Sequence, residues 1–290
     1  MDNSKIFNRA LYRSRRLRAA DAWKRHDFLK REAAERLAEC LADMTRAFPL
    51  ALDLGCHQGD FGQIIGSRGG IKTLIQCDHA EKVVRGAEGV RLVSDEEFLP
   101  FAPNIFDLVV SVLSLHHVND LPGTLIQIHG CLKPDGLFLA VLPGASTLTE
   151  LRKSITHVSA EHGFALSPRL SPLIEVRDAG ALLQRAGFAL PVVDSDMLTV
   201  EYDNILKLMH DLRGMGESNV LLERQKNFTT RTQLAAIADY YQTHFGRADG
   251  TIPASFEFIT MTGWKPHTSQ QQPAKRGSGK VNLKQILEKN

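Results

Sequence analysis

The sequence predicts an α/β fold in which a mostly parallel β-sheet of seven strands carries helices on both faces. Short apolar segments alternate with helical patterns from Pro49 onward, and five of the apolar segments lie before residue 144. Strands that alternate with helices in this way are typical of a parallel sheet. The chain has 290 residues, 43% of them hydrophobic, which is enough to fill the core of such a domain.

Each predicted strand is a short apolar run bounded by polar or turn-forming positions. The strands are expected at 50–55, 71–78, 89–95, 105–115, 137–143, 190–202 and 253–264. The helices between them are expected at 59–67, 80–87, 121–132, 176–188, 204–218 and 230–246. The segment KPDG at 133–136 has Pro, Asp and Gly where a tight turn needs them, so a turn is predicted there.

The N-terminal segment is strongly basic, with five arginines between Arg9 and Arg18. Arginine-rich starts also occur in organelle transit peptides, but Asp2 and the low serine content argue against one. We therefore expect a basic helix that covers the domain or contacts an acidic surface of a partner. Apolar residues at helical spacing suggest that this helix continues through 21–44.

These patterns divide the chain into three parts. Residues 1–46 form the basic helical segment, residues 47–267 form the main domain, and residues 268–290 form a polar, basic tail. The main domain is expected to carry insertions at about 144–173 and at about 203–245.

The composition excludes several classes of function. A formal net charge of +2 is too small to indicate binding to nucleic acid or to a membrane surface. No apolar run approaches the roughly 20 residues that span a bilayer. The four cysteines form no C-x-x-C pair and have no metal-ligand spacing with histidine, so we expect a reducing cytoplasm and predict no metal site.

The segment LDLGCHQGDF, residues 52–61, lies where the first predicted strand runs into a helix. Gly55 and Gly59 allow the backbone to approach a ligand, and N–H groups at a helix start can meet an anionic group. Asp78 ends the second strand about 25 residues after Asp53, where an acid accepts hydrogen bonds from ribose hydroxyls. The sequence therefore predicts a cofactor with a ribose in the crevice beyond the strand ends.

Three cofactor types can be compared with this loop. NAD needs the spacing G-x-G-x-x-G, which His57 breaks, and Asp53 would repel a pyrophosphate. A P-loop needs G-K-[ST] after the second glycine, and the sequence continues differently. S-adenosylmethionine has an ammonium and a sulfonium and no phosphate, so Asp53 favours it. A glycine turn without any ligand is the remaining alternative.

Further candidates follow the third and fourth strands. Asp95 and Glu96 can read an adenine edge, or they belong to a solvated acidic loop. Residues 111–117 should line the floor of the crevice, where His116 and His117 are candidate catalytic acids, bases or substrate contacts. Each histidine can equally be a packed side chain. The predicted cofactor contacts are Asp53, Gly55, Cys56, His57, Gly59, Asp78, His79, Asp95, Glu96 and Ser111.

Several of these motifs resemble those of class I S-adenosylmethionine-dependent methyltransferases. The matching segments are ALDLGCHQG, SDEEFLPF, FDLVVSVLSLHHVNDLP and LKPDGLFLAVLPG. Less generic segments resemble the family of the mitochondrial complex I assembly factor 5 and its alphaproteobacterial relatives. They include IFNRALYRSRRLRAA, LMHDLRGMGESN, DGTIPASFEFITMTGWKPH and QPAKRGSGKVNL, so the resemblance runs from about residue 6 to the end.

The resemblance implies a seven-stranded, Rossmann-like class I methyltransferase fold that binds S-adenosylmethionine or S-adenosylhomocysteine. It also implies action on the complex I subunit that carries the terminal iron–sulfur cluster. The reaction reported for this family is hydroxylation of an arginine rather than methyl transfer. Because the resemblance begins almost at Met1, we expect no presequence and a bacterial cytoplasmic protein, or a matrix protein if the source is eukaryotic.

His57 departs from the family pattern, which often has glycine at this position. We expect His57 to adopt a negative φ and to point along the methionine carboxylate or toward solvent. His116, His117 and Asp120 lie near the expected pocket, but their spacing carries no firm 2-His-1-carboxylate signature.

Four functions are consistent with the sequence. The first is a protein-modifying enzyme of complex I assembly, in which the helices at about 203–245 form a substrate-selecting lid or ordinary packing. The second is a small-molecule or carrier-bound carboxylate methyltransferase, similar to the malonyl-carrier enzyme of biotin synthesis. The third is a non-catalytic assembly chaperone. A nicotinamide-dependent oxidoreductase is the fourth, and His57 argues against it.

Overall fold

Five parallel strands end at one edge of a single sheet. The computed structural model describes residues 5–162, 170–226, 229–271 and 277–278. Its strands are β1 (Leu50–Leu54), β2 (Thr73–Asp78), β3 (Val90–Val93), β4 (Phe106–Val112), β5 (Leu132–Pro143), β6 (Ala189–Tyr202) and β7 (Ile252–Trp264). They pair in the order β3-β2-β1-β4-β5-β7-β6, and β7 runs opposite to the other strands of this sheet. The predicted seven-stranded, mostly parallel sheet is confirmed.

Helices cover both faces of the sheet. In chain order they are α1 (Arg9–Ala19), α2 (Phe28–Ala42), α3 (Asp60–Ile65), α4 (Glu81–Val84), α5 (Leu121–Cys131), α6 (Thr149–Glu161), α7 (Val176–Arg185), α8 (Ile205–Gly214) and α9 (Arg231–Phe245). Residues of α2, α8 and α9 share one hydrophobic core with one face of β4 and β5, while α5 and α7 share a second core with the opposite face. Strands buried on both faces explain the nearly continuous apolar runs in the sequence.

The N-terminal helix does not continue unbroken. It ends at Ala19, a 3-10 turn follows over Ala20–Arg25, and α2 begins at Phe28. The turn carries Trp23, whose indole N–H donates to the Asp60 carboxylate at 3.0 Å in a buried position. This tertiary contact overrides the helical spacing of the apolar residues, so the prediction of one long helix was wrong.

The KPDG segment is also not a tight turn. It lies inside β5, where the pairing with β4 shifts register between Phe106 and Leu108, and Asp135 has a φ of +65°. The Asp135 N–H donates to the Lys265 carbonyl at 3.0 Å, and the Lys265 N–H donates to Gly136 at 2.8 Å. These bonds hold the segment in the sheet as a bulge, because an Asp tolerates the left-handed conformation that a bulge needs.

The two predicted insertions contain helices that pack differently. The segment at about 144–173 contains α6, although its residues 163–169 lie outside the described residues. The segment at about 203–245 contains α8 and α9; α9 packs on α6, and its Tyr241 hydroxyl donates to the Pro253 carbonyl at 2.7 Å. In contrast, the chain after α8 extends to the crevice. Of the predicted tail, the described residues reach only 271 and 277–278.

Within the described residues, no helix is both long and apolar enough to cross a membrane.

The contact between α2 and the sheet predicts a large effect of Leu37→Ala. Leu37 is fully buried in the core that contains Val110 of β4 and Leu139 of β5. Removing a buried leucine side chain typically lowers the free energy of unfolding by about 2–5 kcal/mol. Urea unfolding should show this loss, whereas Leu206→Ala on the exposed face of α8 should leave the free energy nearly unchanged. Equal effects of the two changes would contradict this packing.

Candidate functional site

The predicted acids gather at the carboxyl edge of the sheet, where the strand order reverses between β1 and β4. Asp53 lies near the end of β1 and Asp78 ends β2, and both are fully buried. Neither carboxylate oxygen of Asp53 has a hydrogen-bond partner in the described part of the chain. A buried carboxylate without a partner is costly, so Asp53 is suited to receive a donor from a ligand. Burial raises its pKa to about 7.

The loop after β1 approaches its neighbours so closely that it needs glycine. Gly55 has a φ of +73°, and a Cβ there would lie 1.9 Å from the Ser114 Oγ. Gly59 has a φ of +81°, and a Cβ there would lie 2.6 Å from the Gln76 side-chain oxygen. Two features therefore require glycine at these positions, namely the left-handed backbone and the lack of space.

His57 differs from the sequence-based expectation. Its φ is +56° rather than negative, and its ring is buried against Trp23, with the two ring centroids 3.5 Å apart. The His57 N–H donates to the Asp78 carboxylate at 3.1 Å, which holds the backbone in the left-handed region. Burial lowers the pKa of His57 well below its ordinary value, so the ring is neutral. It does not point to solvent.

Helix α1 lies across the acids. The Arg16 guanidinium is buried and forms an ion pair with Asp78, and it also donates to the Tyr12 hydroxyl at 2.6 Å. The Tyr12 ring stacks on His79, with the centroids 5.0 Å apart. The acid predicted to accept ribose hydroxyls thus has an arginine partner from the N-terminal segment.

The acids after β3 have a similar partner. Arg9 donates to Asp95 at 2.7 Å and also to the fully buried Glu96, which accepts a further hydrogen bond from the Ser114 hydroxyl at 3.0 Å. Burial works against ionisation of Glu96, but His79 and Arg9 outweigh it and hold its pKa well below the ordinary value. The acidic residues are therefore not a solvated loop.

A third cation, Lys30 of α2, contacts the glycine turn. Its buried ammonium donates to the Gly55 carbonyl at 2.7 Å, and burial lowers its pKa. Sequence reasoning missed Arg9, Arg16 and Lys30 as site residues. The arginine cluster was a visible signal, but it predicted only that a basic helix covers the domain or contacts a partner.

Two predicted cofactor contacts have structural partners. The Ser111 hydroxyl donates to the Leu54 carbonyl at 2.8 Å and thereby links β4 to β1. The Cys56 N–H donates to the Cys77 carbonyl at 2.9 Å, and burial raises the pKa of its thiol well above the ordinary value. The Ser111 side chain and the Cys56 backbone therefore fix the loop to the neighbouring strands. All four cysteines are free thiols.

The two histidines after β4 lie beside a carboxylate that the sequence did not predict. Glu217 follows α8, and its Oε2 lies 3.1 Å from the His116 Nε2 and 3.7 Å from the His117 Nδ1. Burial lowers the pKa of His117, while His117 and His116 outweigh burial and lower the pKa of Glu217. Asp120, the carboxylate considered from the sequence, instead caps α5 by accepting from the Gly123 N–H at 2.8 Å.

A cavity of about 130 Å³ lies beside this group. His57, His116, His117 and Glu217 line it, together with Arg16 and Lys30. Asp53, Asp78, Asp95 and Glu96 are not among the described residues that form its wall. Arg16 contacts Asp78 and also lines the cavity, so its side chain lies between the acids and the cavity.

The order of the strands and the crevice at their carboxyl ends identify the protein as one with a class I methyltransferase fold. Residues 52–140 match the family model described as a methyltransferase domain. The crystal structure of YcgJ from Bacillus subtilis has the same fold, with a TM-score of 0.56 and 19% identity over 81% of this chain and 99% of YcgJ.

The chain belongs to the family of the arginine-hydroxylase NDUFAF5. It is 44% identical to the mitochondrial protein of that name from Mus musculus, over 98% of this chain and 84% of the relative. The Homo sapiens protein is 43% identical over 97% of this chain and 83% of the relative. A malonyl-[acyl-carrier protein] O-methyltransferase of Xylella fastidiosa is 32% identical over 86% of this chain and 85% of the relative.

Asp53 should make the stability of the protein depend on pH. Its pKa is about 7 in the folded protein and about 4 in an unfolded chain. Between these values the folded state binds the extra proton, so stability falls as the pH rises, by up to about 1.4 kcal/mol per pH unit. Asp53→Asn removes this contribution. In urea unfolding, its free energy relative to wild type should be higher at about pH 7.5 than at about pH 5.

The matched control for this measurement is Asp239→Asn on the exposed side of α9. The control should give the same difference from wild type at both pH values. Parallel pH profiles for wild type and Asp53→Asn would show that Asp53 is ionised throughout this range.

Proposed function

We propose that this protein binds S-adenosylmethionine and modifies an arginine of a complex I subunit, the one that carries the terminal iron–sulfur cluster, by hydroxylation. The observation that carries the proposal is the similarity to the arginine-hydroxylase relatives, which extends over nearly the whole chain and not only the methyltransferase domain. The free thiols support a reducing compartment, and we propose the bacterial cytoplasm, although the relatives are named mitochondrial.

The residues of the crevice fit the proposed cofactor. The unpaired carboxylate of Asp53 can accept from the ammonium of the methionine part, and Asp78 can accept from ribose hydroxyls. When bound, S-adenosylmethionine supplies an electrophilic methyl group beside a sulfonium. Asp53 and Asp78 would orient the bound cofactor, and α1, which lies across these carboxylates, would exclude water from it.

Cofactor binding requires a change at Asp78, because Arg16 now occupies this carboxylate. Arg16 contacts the Asp78 Oδ2, while Oδ1 accepts from the Ala80 N–H at 3.0 Å. Ribose hydroxyls would compete with the guanidinium for Oδ2, so Arg16 would turn away when the adenosine part binds. Arg16 also lines the cavity, which gives its side chain a place to move into. We therefore propose that Arg16 couples cofactor binding at Asp78 to the cavity that would hold the substrate.

Isothermal titration with S-adenosylhomocysteine tests this assignment. Asp78→Ala should weaken binding by roughly tenfold or more, because hydrogen bonds to an ionised acceptor are lost. Arg16→Gln should strengthen binding, since the competing ion pair is removed. Asp239→Asn is the matched control and should bind as wild type does. If circular dichroism shows that Asp78→Ala is folded and its affinity for S-adenosylhomocysteine equals that of wild type, the assignment of the cofactor pocket is wrong.

The proposed substrate side is the cavity lined by Glu217, His116 and His117. Glu257 also lines this cavity and carries a carboxylate that could meet the positive charge of an arginine side chain. Glu217 lies in the segment after α8 and lines the cavity, which supports a substrate-selecting role for this segment, whereas α9 packs in the core. Arg152 also lines the cavity, and it could instead hold the carboxylate of a malonyl-carrier substrate.

Peptide mass spectrometry of the complex I subunit distinguishes the candidate functions. In cells that lack the gene, the target arginine should be lighter by one oxygen atom than in cells that carry it. Loss of one methyl group would instead mean methyl transfer to the protein. An unchanged mass would contradict protein modification and would leave the carrier methyltransferase or the chaperone. Expression of the Leu206→Ala variant in these cells should return the oxygen atom to the target arginine, since Leu206 is exposed and does not line the cavity.

A further inference from the structure

Two histidines and one carboxylate converge at the wall of the cavity. One ligand atom from each of His116, His117 and Glu217 lies within 4.8 Å of those of the other two. The donors come from distant parts of the chain, a 3-10 turn over Leu115–His117 and the segment after α8. We propose that these three residues bind a divalent first-row transition metal, Fe(II) in the working enzyme.

The distances fit such an ion. The Glu217 Oε2 lies 3.1 Å from the His116 Nε2 and 3.7 Å from the His117 Nδ1. Ligands at about 2.0–2.2 Å from a metal are separated from one another by roughly 3.0–3.5 Å in octahedral or tetrahedral geometry. The two Glu217 distances lie in or just above this range, and the two histidine nitrogens lie within 4.8 Å of each other, so the side chains have to draw closer together to share one ion.

A second observation points to a ligand at this place. The His117 side chain is 3% exposed, and its Nδ1, which faces Glu217, has no hydrogen-bond partner among the described residues. A buried ring nitrogen without a partner is unfavourable unless something binds it. A metal ion would satisfy this nitrogen and the Glu217 carboxylate together.

Residues of the N-terminal segment fix the orientation of the His117 ring. The His117 ring packs edge-on against Phe7, with the centroids 5.3 Å apart, and it contacts the Tyr12 ring at 4.5 Å. Arg9 donates to the His117 carbonyl at 3.3 Å. These contacts restrict the ring orientation, as supporting residues do for metal ligands. They also give the N-terminal segment a second role at the site.

Three protein ligands leave coordination positions open toward the cavity, which all three residues line. Two histidines and a carboxylate with open positions are typical of non-haem Fe(II) oxygenases. The site itself is independent of the proposed reaction; only its use in arginine hydroxylation rests on the proposed function. That reaction would require O2, which supplies the oxygen atom of the new C–O bond, and a two-electron co-reductant such as a 2-oxo acid, which takes up the second oxygen atom. Arg16, which lines the same cavity, reduces the affinity for a cation by repulsion.

A second cluster in the described chain provides a control. His26, His210 and Asp211 also have ligand atoms within 4.8 Å of one another. Each cluster has one histidine nitrogen paired with its carboxylate, but His210 is exposed, whereas His117 is buried and its Nδ1 has no hydrogen-bond partner among the described residues. Both clusters contain two histidines and one carboxylate. Substitutions in the second cluster therefore test whether metal binding is specific to His116, His117 and Glu217.

Titration of the full-length protein with Co(II), followed by visible absorption, tests the site. The wild-type protein should bind one Co(II) ion at His116, His117 and Glu217, and the bound ion should give ligand-field absorption bands. Glu217→Gln and His116→Ala should each weaken this binding by at least about tenfold, because each removes a ligand. His210→Ala should bind as wild type does. Unchanged affinity in both ligand variants, or loss of the bands in His210→Ala alone, would overturn the proposal.

The two ligand variants lie on different segments, so one of them can decide the matter if the other fails to fold. Thermal unfolding and S-adenosylhomocysteine binding identify a folded variant. Because Co(II) binding is measured without substrate, it is separate from the test of the proposed function. If cells without the gene lack the oxygen atom on the complex I arginine but the wild-type protein binds no Co(II), the metal site is wrong and the proposed reaction stands. Specific Co(II) binding without any arginine modification would support the site and contradict the proposed reaction.

Discussion

Buried carboxylates at the carboxyl edge of the sheet constrain the rest of the site. Asp53, Asp78 and Glu96 are fully buried where the strands end. A buried charge is stable only when it has partners of opposite charge or hydrogen-bond donors. Arg16 of α1 is the partner of Asp78, and Arg9 of the same helix is the partner of Glu96. The position of the N-terminal helix therefore follows from the charges of the crevice as much as from its apolar residues.

This arrangement joins the two halves of the site. The N-terminal segment that covers the acids also packs Tyr12 of α1 and Phe7, which precedes α1, against His117, and His117 lines the open cavity. A movement of α1 that frees Asp78 would change the support of His117 at the same time. The cavity is lined jointly by loops at the strand ends, which carry His57, His116 and His117, and by the N-terminal segment and the segment after α8, which carry Arg16 and Glu217.

Local patterns explain which parts of the fold and site could be predicted. The strand-end acids Asp53 and Asp78 could be located because an apolar run and its end are both visible in the sequence. The positive φ of His57 could not, since it depends on a hydrogen bond to Asp78, 21 residues away. The bulge at Asp135 likewise depends on Lys265. In each case a bond to a distant segment replaced the conformation that the local residues favour.

The sequence by itself determined the order of strands and helices, the glycine turn and the placement of the acids, because these follow from periodicity and turn chemistry within short segments. Only the tertiary structure decided which groups face one another. It brought Glu217 to His116 across 101 residues of chain, and it placed Arg16 on Asp78 across 62. Such contacts depend on how the N-terminal helix and the segment after α8 pack over the sheet edge, and no local pattern encodes that packing.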